Sequence, residues 1–83
     1  MINLAQLPNL FFKNRKFLDS STIAGCVKCC LTIQSKEIIS FTDKEQTCIC
    51  PKCGHDTIIF DNMEFAINEN SLKKANNYLF KKN

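Results

Sequence analysis

Cys26-Val27-Lys28-Cys29 and, after twenty intervening residues, Cys50-Pro51-Lys52-Cys53-Gly54 decide how this chain folds. Two residues between paired cysteines let one tight turn aim both sulfurs at a single point. Two such turns supply the four thiolates that Zn²⁺ takes in a closed tetrahedral site. Gly54 offers the positive φ commonly needed just after the second ligand of such a turn. At the corresponding place in the first turn stands Cys30. That turn is therefore expected either to be less regular or to keep its backbone out of the left-handed region. The expected ligands are Cys26, Cys29, Cys50 and Cys53, holding one structural Zn²⁺ between the two hairpin turns of a zinc ribbon.

Three nearby residues compete for this assignment. Cys30 adjoins Cys29, and Cys48 lies two positions before Cys50. Neither spacing makes the compact turn that two intervening residues make. Cys48 is expected to be a small buried hydrophobe, and Cys30 either the same or an oxidation-sensitive surface thiol. His55 follows Gly54 and could replace a cysteine, but it lies past the turn and four thiolates already fill the site.

The chain has 83 residues, with 11 basic and 8 acidic side chains and a net charge of +3. A domain this small buries little apolar surface against the entropy of ordering its backbone. Structural zinc contributes about 10 to 16 kcal/mol in finger peptides, so folding is expected to depend on metal. Six cysteines also suit a disulfide framework. The first twenty residues, however, lack the basic start, long apolar block and small-residue cleavage site of a secretory signal, and no apolar run is long enough to span a membrane. The expected location is cytoplasmic, where paired cysteines favour metal.

In chain order, Leu4, Leu7, Leu10, Phe11, Phe17 and Leu18 recur partly at helical spacing, and Pro8 suits a first helical turn. Residues 1–21 are expected to form an N-terminal amphipathic helix running from Pro8 to about Leu18. It would lay Phe11, Phe17 and Leu18 on the core or serve as a partner-binding arm, with Phe12 facing elsewhere. Lys13, Arg15 and Lys16 form its solvated face or a weak phosphate contact. Residues 22–83 are expected to be the ribbon with a C-terminal helix, the whole being one compact domain. Strands are expected over Thr22 to Cys26, Leu31 to Ile33, Gln46 to Ile49 and Thr57 to Phe60, the last of them completing a three-stranded antiparallel sheet. A helical turn is expected at Ser35 to Ile38, with Ile38, Ile39 and Phe41 feeding the core. From Asn68 or Asn70 a helix begins, with Leu72, Ala75 and Leu79 on one face, Tyr78 at its edge, and Lys73, Lys74, Lys81 and Lys82 over the rest. The fold class is thus a small α+β metal-stabilised domain.

No enzymatic activity is expected. A catalytic zinc keeps an open position, whereas four cysteines close the shell. His55 and Asp56, adjacent on extended backbone, would point to opposite sides. There is no glycine-rich phosphate loop, and His55 is the single histidine.

From Cys26 to about Phe80 the chain resembles a group of small bacterial cytoplasmic zinc-ribbon proteins. The resemblance is carried by Cys26, Cys29, Ile33, Glu37-Ile38, Phe41, Asp43, Thr47, Cys50-Pro51, Cys53-Gly54, Asp56, Ile58-Ile59, Asp61, Leu72, Tyr78 and Phe80. The chain departs from the pattern at Phe60 (glycine expected), Cys48 (alanine) and His55 (an aliphatic residue). The resemblance implies four-cysteine zinc and a compact fold, and no activity.

Two functions follow as expectations. The first is a structural-zinc module acting through a protein partner, as an inhibitor, immunity-type or adaptor subunit, with Phe11, Phe12, Phe17, Tyr78 and Phe80 as surplus aromatics. The alternative is nucleic-acid binding through Lys13, Arg15, Lys16, Lys28 and Lys52. A third, lesser reading is redox sensing through Cys30 and Cys48.

Overall fold

A computed structural model describes residues 4–80. Its centre is a three-stranded antiparallel sheet formed by β1 (Ile23–Cys26), β2 (Thr32–Gln34) and β5 (Ile58–Phe60), in the order β2-β1-β5. Ala24 stands opposite both Ile33 and Phe60, and Cys26, the last residue of β1, stands opposite Ile58. The apolar run of β5 is buried along its whole length, the signature of a strand covered on both faces.

One cover is α2 (Glu69–Phe80). Of the two expected caps, Asn68 is the one used: its Oδ1 accepts the Ser71 amide at 2.8 Å. Leu72 and Ala75 are fully buried and Leu79 half-buried, as the spacing predicts. The Leu72 side chain fits so closely onto β1 that a Cβ on Gly25 would come within 2.9 Å of Leu72 Cδ2, so a larger residue there would have to displace the buried Leu72 methyls. Lys73 pairs with Glu69 at 3.2 Å; Lys81 and Lys82 lie outside the described residues.

The other cover is the N-terminal segment, and it differs from expectation. Instead of one helix to Leu18 there is a 3₁₀ turn (Leu4–Gln6), the short helix α1 (Leu7–Phe11) and a second 3₁₀ turn (Asn14–Phe17). The helix stops because Phe12 is extended and Lys13 takes a left-handed φ of 53°. That break turns Asn14 inward, where it is fully buried. Leu7 and Phe11 are buried, Phe17 and Leu18 pack half-buried against the core, and Phe12 remains 60% exposed.

A second, two-stranded sheet was not foreseen: β3 (Ser40–Thr42) pairs with β4 (Thr47–Ile49), Phe41 facing Cys48. The polar turn between them takes three successive positive φ values at Asp43, Lys44 and Glu45. The two sheets are joined by the Asn14 side chain, whose Nδ2 donates to Ile58 C=O at 2.8 Å while its Oδ1 accepts the Cys48 amide at 2.9 Å. Beside it, the Lys13 amide donates to Thr47 Oγ1 at 2.8 Å and the Arg15 amide to Gln46 C=O at 3.0 Å. These bonds occupy backbone groups that would otherwise be orphaned inside the protein. Ile38 is buried and Phe41 half-buried, but Ile39 is 80% exposed, contrary to expectation. Ile39 stands in the irregular link between Glu37 and β3, outside any strand, and of the Ile38-Ile39 pair only Ile38 turns inward. The 3₁₀ turn Ser35–Glu37 is present as expected, with the Gln34 amide held by Glu37 Oε2 at 2.9 Å.

Candidate metal centre

Cys26, the last residue of β1, opens the first cysteine turn, and Cys50, the residue after β4, opens the second. In the first, the Cys30 amide donates to Cys26 C=O at 2.8 Å and the Cys26 amide to Leu31 C=O at 3.0 Å. In the second, the Gly54 amide donates to Cys50 C=O at 2.9 Å and the Cys50 amide to His55 C=O at 2.9 Å. The two turns are built alike. Cys30, at φ 62°, takes the same left-handed conformation as Gly54 at 77°. The expectation that Cys30 would make its turn irregular or avoid that region is corrected: the two hydrogen bonds around it impose the conformation in spite of its Cβ.

This arrangement brings together the four cysteines singled out from the spacing. The Sγ atoms of Cys26, Cys29, Cys50 and Cys53 all lie within 4.8 Å of one another. Across the two turns, Cys26 and Cys53 sulfurs are 3.5 Å apart, and those of Cys29 and Cys50 are 3.8 Å apart. A tetrahedron with a centre-to-sulfur distance of about 2.3 Å has edges of about 3.8 Å, so the spacing suits a metal ion at the centre. Cys26 and Cys50 are buried, while Cys29 and Cys53 are half-buried.

Crowding shows in the thiols' acidity. Burial, then the adjacent Cys26 sulfur, pushes the Cys29 thiol well up. Burial, acting with the neighbouring sulfurs, raises Cys53 to about 11. Burial also pushes Cys50 upward, but the Lys52 and Cys53 amides directed at its sulfur outweigh this, and the net direction is down. A cation among these sulfurs turns their mutual repulsion into attraction, and a metal site holds its cysteines as thiolates.

The surrounding groups suit thiolate ligands. The Lys52 amide donates to Cys50 Sγ at 3.3 Å, Thr57 Oγ1 lies 3.3 Å from Cys26 Sγ, and His55 Nδ1 lies 3.4 Å from Cys53 Sγ. His55 thus stands beside a ligand, outside the four-sulfur group. Cys48 and Cys30 also stand outside it. Cys48 is fully buried, and burial raises its thiol to about 11, so it remains a neutral apolar side chain. Cys30 is half-buried, its Sγ near the Val27 and Leu72 carbonyls at 3.7 and 3.8 Å.

Two residues that brace the site were missed in the sequence. Asn76 of α2 donates through Nδ2 to the carbonyls of Val27 (2.9 Å) and Lys28 (3.1 Å), gripping the first turn. Thr57 C=O also accepts the Val27 amide at 3.0 Å. An asparagine on the polar flank of an amphipathic helix carries no local signal of such a role. No family model, curated protein or solved structure matches the chain. Among the described residues, no helix is long and apolar enough to cross a membrane.

Proposed function

We propose that the chain is a zinc-ribbon module of a reducing compartment, with one structural Zn²⁺ on Cys26, Cys29, Cys50 and Cys53, that acts by binding a protein partner and not by catalysis. The four-sulfur geometry carries the metal reading. All-thiolate ligation at this spacing favours zinc among the common divalent ions, and zinc there supplies cross-linking between the two turns. This extends to the chain the likeness to small bacterial zinc-ribbon proteins that its cysteine motifs suggest. Native mass spectrometry of the purified chain is expected to give one zinc per molecule; a chain that stays metal-free in excess zinc overturns the reading.

The partner reading rests on Phe12 and Tyr78, which leave 60% and 57% of their surface exposed. Large aromatics of this kind anchor protein interfaces. Nucleic-acid binding is the alternative, and it is the less supported. Arg15 lies 4.0 Å from the Phe41 ring centroid and pairs with Glu45, Lys28 covers the Phe80 ring at 4.6 Å, and Lys52 stands 4.0 Å from Glu37. Arg15 and Lys28 are thus drawn onto the protein's own rings, and the net charge of +3 is modest for a phosphate-binding surface. Capture of interactors with nuclease, at low and high salt, distinguishes the two: a salt-resistant protein lost on Phe12→Ala, with folding unchanged, supports the partner reading, whereas nucleic acid released by salt supports the alternative.

A further inference from the structure

The two cysteine turns are fastened to the domain in different ways. The first turn is fastened by protein. Its Val27 is fully buried and donates its amide to Thr57 C=O, Asn76 holds two of its carbonyls, and Lys28 lies over Phe80. Residues 50–56 are different. Cys50, at its head, is buried in the core, but Pro51, Lys52, Gly54, His55 and Asp56 are all exposed, and the turn's backbone hydrogen bonds close on itself. Among the described residues, the polar contacts that leave this segment are the sulfur contacts of Cys50 and Cys53 with Cys29 and Cys26, and the exposed Lys52–Glu37 pair at 4.0 Å. An exposed ion pair of that length holds almost nothing. On either side the chain is pinned again: the Cys48 amide by Asn14, and Thr57, which is buried, by Val27.

Resting on the zinc reading above, we infer that the second turn is a metal-conditional element, which narrows the expected dependence on metal from the whole fold to this segment: loss of the ion frees residues 50–56, while the first turn, the three-stranded sheet and α2 keep their structure. The site is then a local switch. Metal occupancy determines whether Pro51, Lys52 and His55 form a fixed surface, and the opening stops at Cys48 and Thr57 because both are anchored independently of the sulfurs. Local opening of this kind follows from few buried contacts and self-contained hydrogen bonding.

Hydrogen exchange read by mass spectrometry on the full chain, zinc-loaded and chelated, tests this. The informative amides are Cys50 and Gly54 in the second turn and Cys26, Val27 and Cys30 in the first. In the chelated protein, peptides spanning 50–56 are expected to exchange at about the unprotected rate, while those spanning 24–30 and 70–80 stay at least about tenfold slower than that. Loss of protection along the whole chain, or retained protection at 50–56, overturns the inference. Native mass spectrometry of the loaded sample separates the two readings: one bound zinc followed by uniform unfolding defeats the switch alone, whereas absence of zinc binding defeats both. Asn76→Ala supplies a second measurement. It is expected to bring 27–30 up to the exchange rate of 50–56 in the chelated protein while changing the loaded protein little; protected 27–30 amides in the chelated variant would overturn the role given to the α2 clamp.

Discussion

In the first cysteine turn the amide after the second cysteine closes back on Cys26 at 2.8 Å, and in the second the equivalent amide closes back on Cys50 at 2.9 Å, each with a left-handed residue at that place. The same local turn is thus built twice. Its surroundings differ: Val27 is fully buried under the α2 clamp, whereas the matching Pro51 is exposed. Local spacing therefore sets the shape of each cysteine turn, and tertiary packing sets how firmly each is fastened to the domain.

The comparison breaks most visibly at the sulfurs. Cys29→Ser and Cys53→Ser remove half-buried ligands, one from each turn, and each is expected to abolish stoichiometric zinc, with loss of several of the about 10 to 16 kcal/mol that structural zinc contributes in finger peptides. Cys30→Ser and Cys48→Ser should retain one zinc, because their sulfurs stand outside the cluster. Metal content by mass spectrometry together with chemical unfolding checks all four. If Cys48→Ser lost the metal while Cys53→Ser kept it, the ligand set would be wrong.

Next in size is the brace that the second turn's stem has in place of the α2 clamp. Asn14→Ala leaves two buried backbone groups without partners, the Cys48 amide and the Ile58 carbonyl, at about 1 to 3 kcal/mol each. Urea unfolding of the zinc-loaded protein measures it. Asn14→Asp keeps an acceptor for Cys48 but buries a carboxylate with one oxygen against the Ile58 carbonyl, so at neutral pH it should recover none of the loss. Equal stability of Asn14→Ala and the parent would show that the two sheets are held together by packing alone.

How much of this was legible follows from the range over which each signal acts. The metal turns, β1, β2, β5 and α2 were readable because each is decided by a few adjacent residues: cysteine spacing, a β-branched run, a cap with a helical stripe. The N-terminal segment misled because Leu7, Leu10 and Phe11 continue into Phe17 and Leu18 at nearly helical spacing, while the feature that breaks the helix is Asn14, whose two partners lie 34 and 44 positions further along the chain. Nothing local in Lys13-Asn14 announces such bonds. The hairpin of β3 and β4 was half seen for a related reason. Ser40-Phe41-Thr42 is short and exposed on both ends, and it becomes a strand through pairing with a partner that the Asn14 brace positions. Of the site, the grouping of the four cysteines was legible and the asymmetry between their turns was not, since it depends on Asn76 meeting Val27 across 49 positions.

The smallest effects separate conformation from surroundings. Gly54 has φ 77° and open space where a Cβ would go, so Gly54→Ala meets no clash and carries only the left-handed penalty, about 1 to 2 kcal/mol. Cys30→Gly is the reverse exchange in the other turn. It removes a similar penalty but adds unfolded-state freedom of about 0.5 to 1 kcal/mol, and it also deletes a half-buried side chain lying against Val27 and Leu72. The net change is therefore expected to fall within about 1 kcal/mol of zero. Thermal unfolding of the two zinc-loaded variants checks the pair. A gain well above that for Cys30→Gly would mean that the Cys30 side chain contributes nothing to the first turn, leaving backbone strain as its whole effect. A clear loss would mean instead that its packing under α2 outweighs the strain.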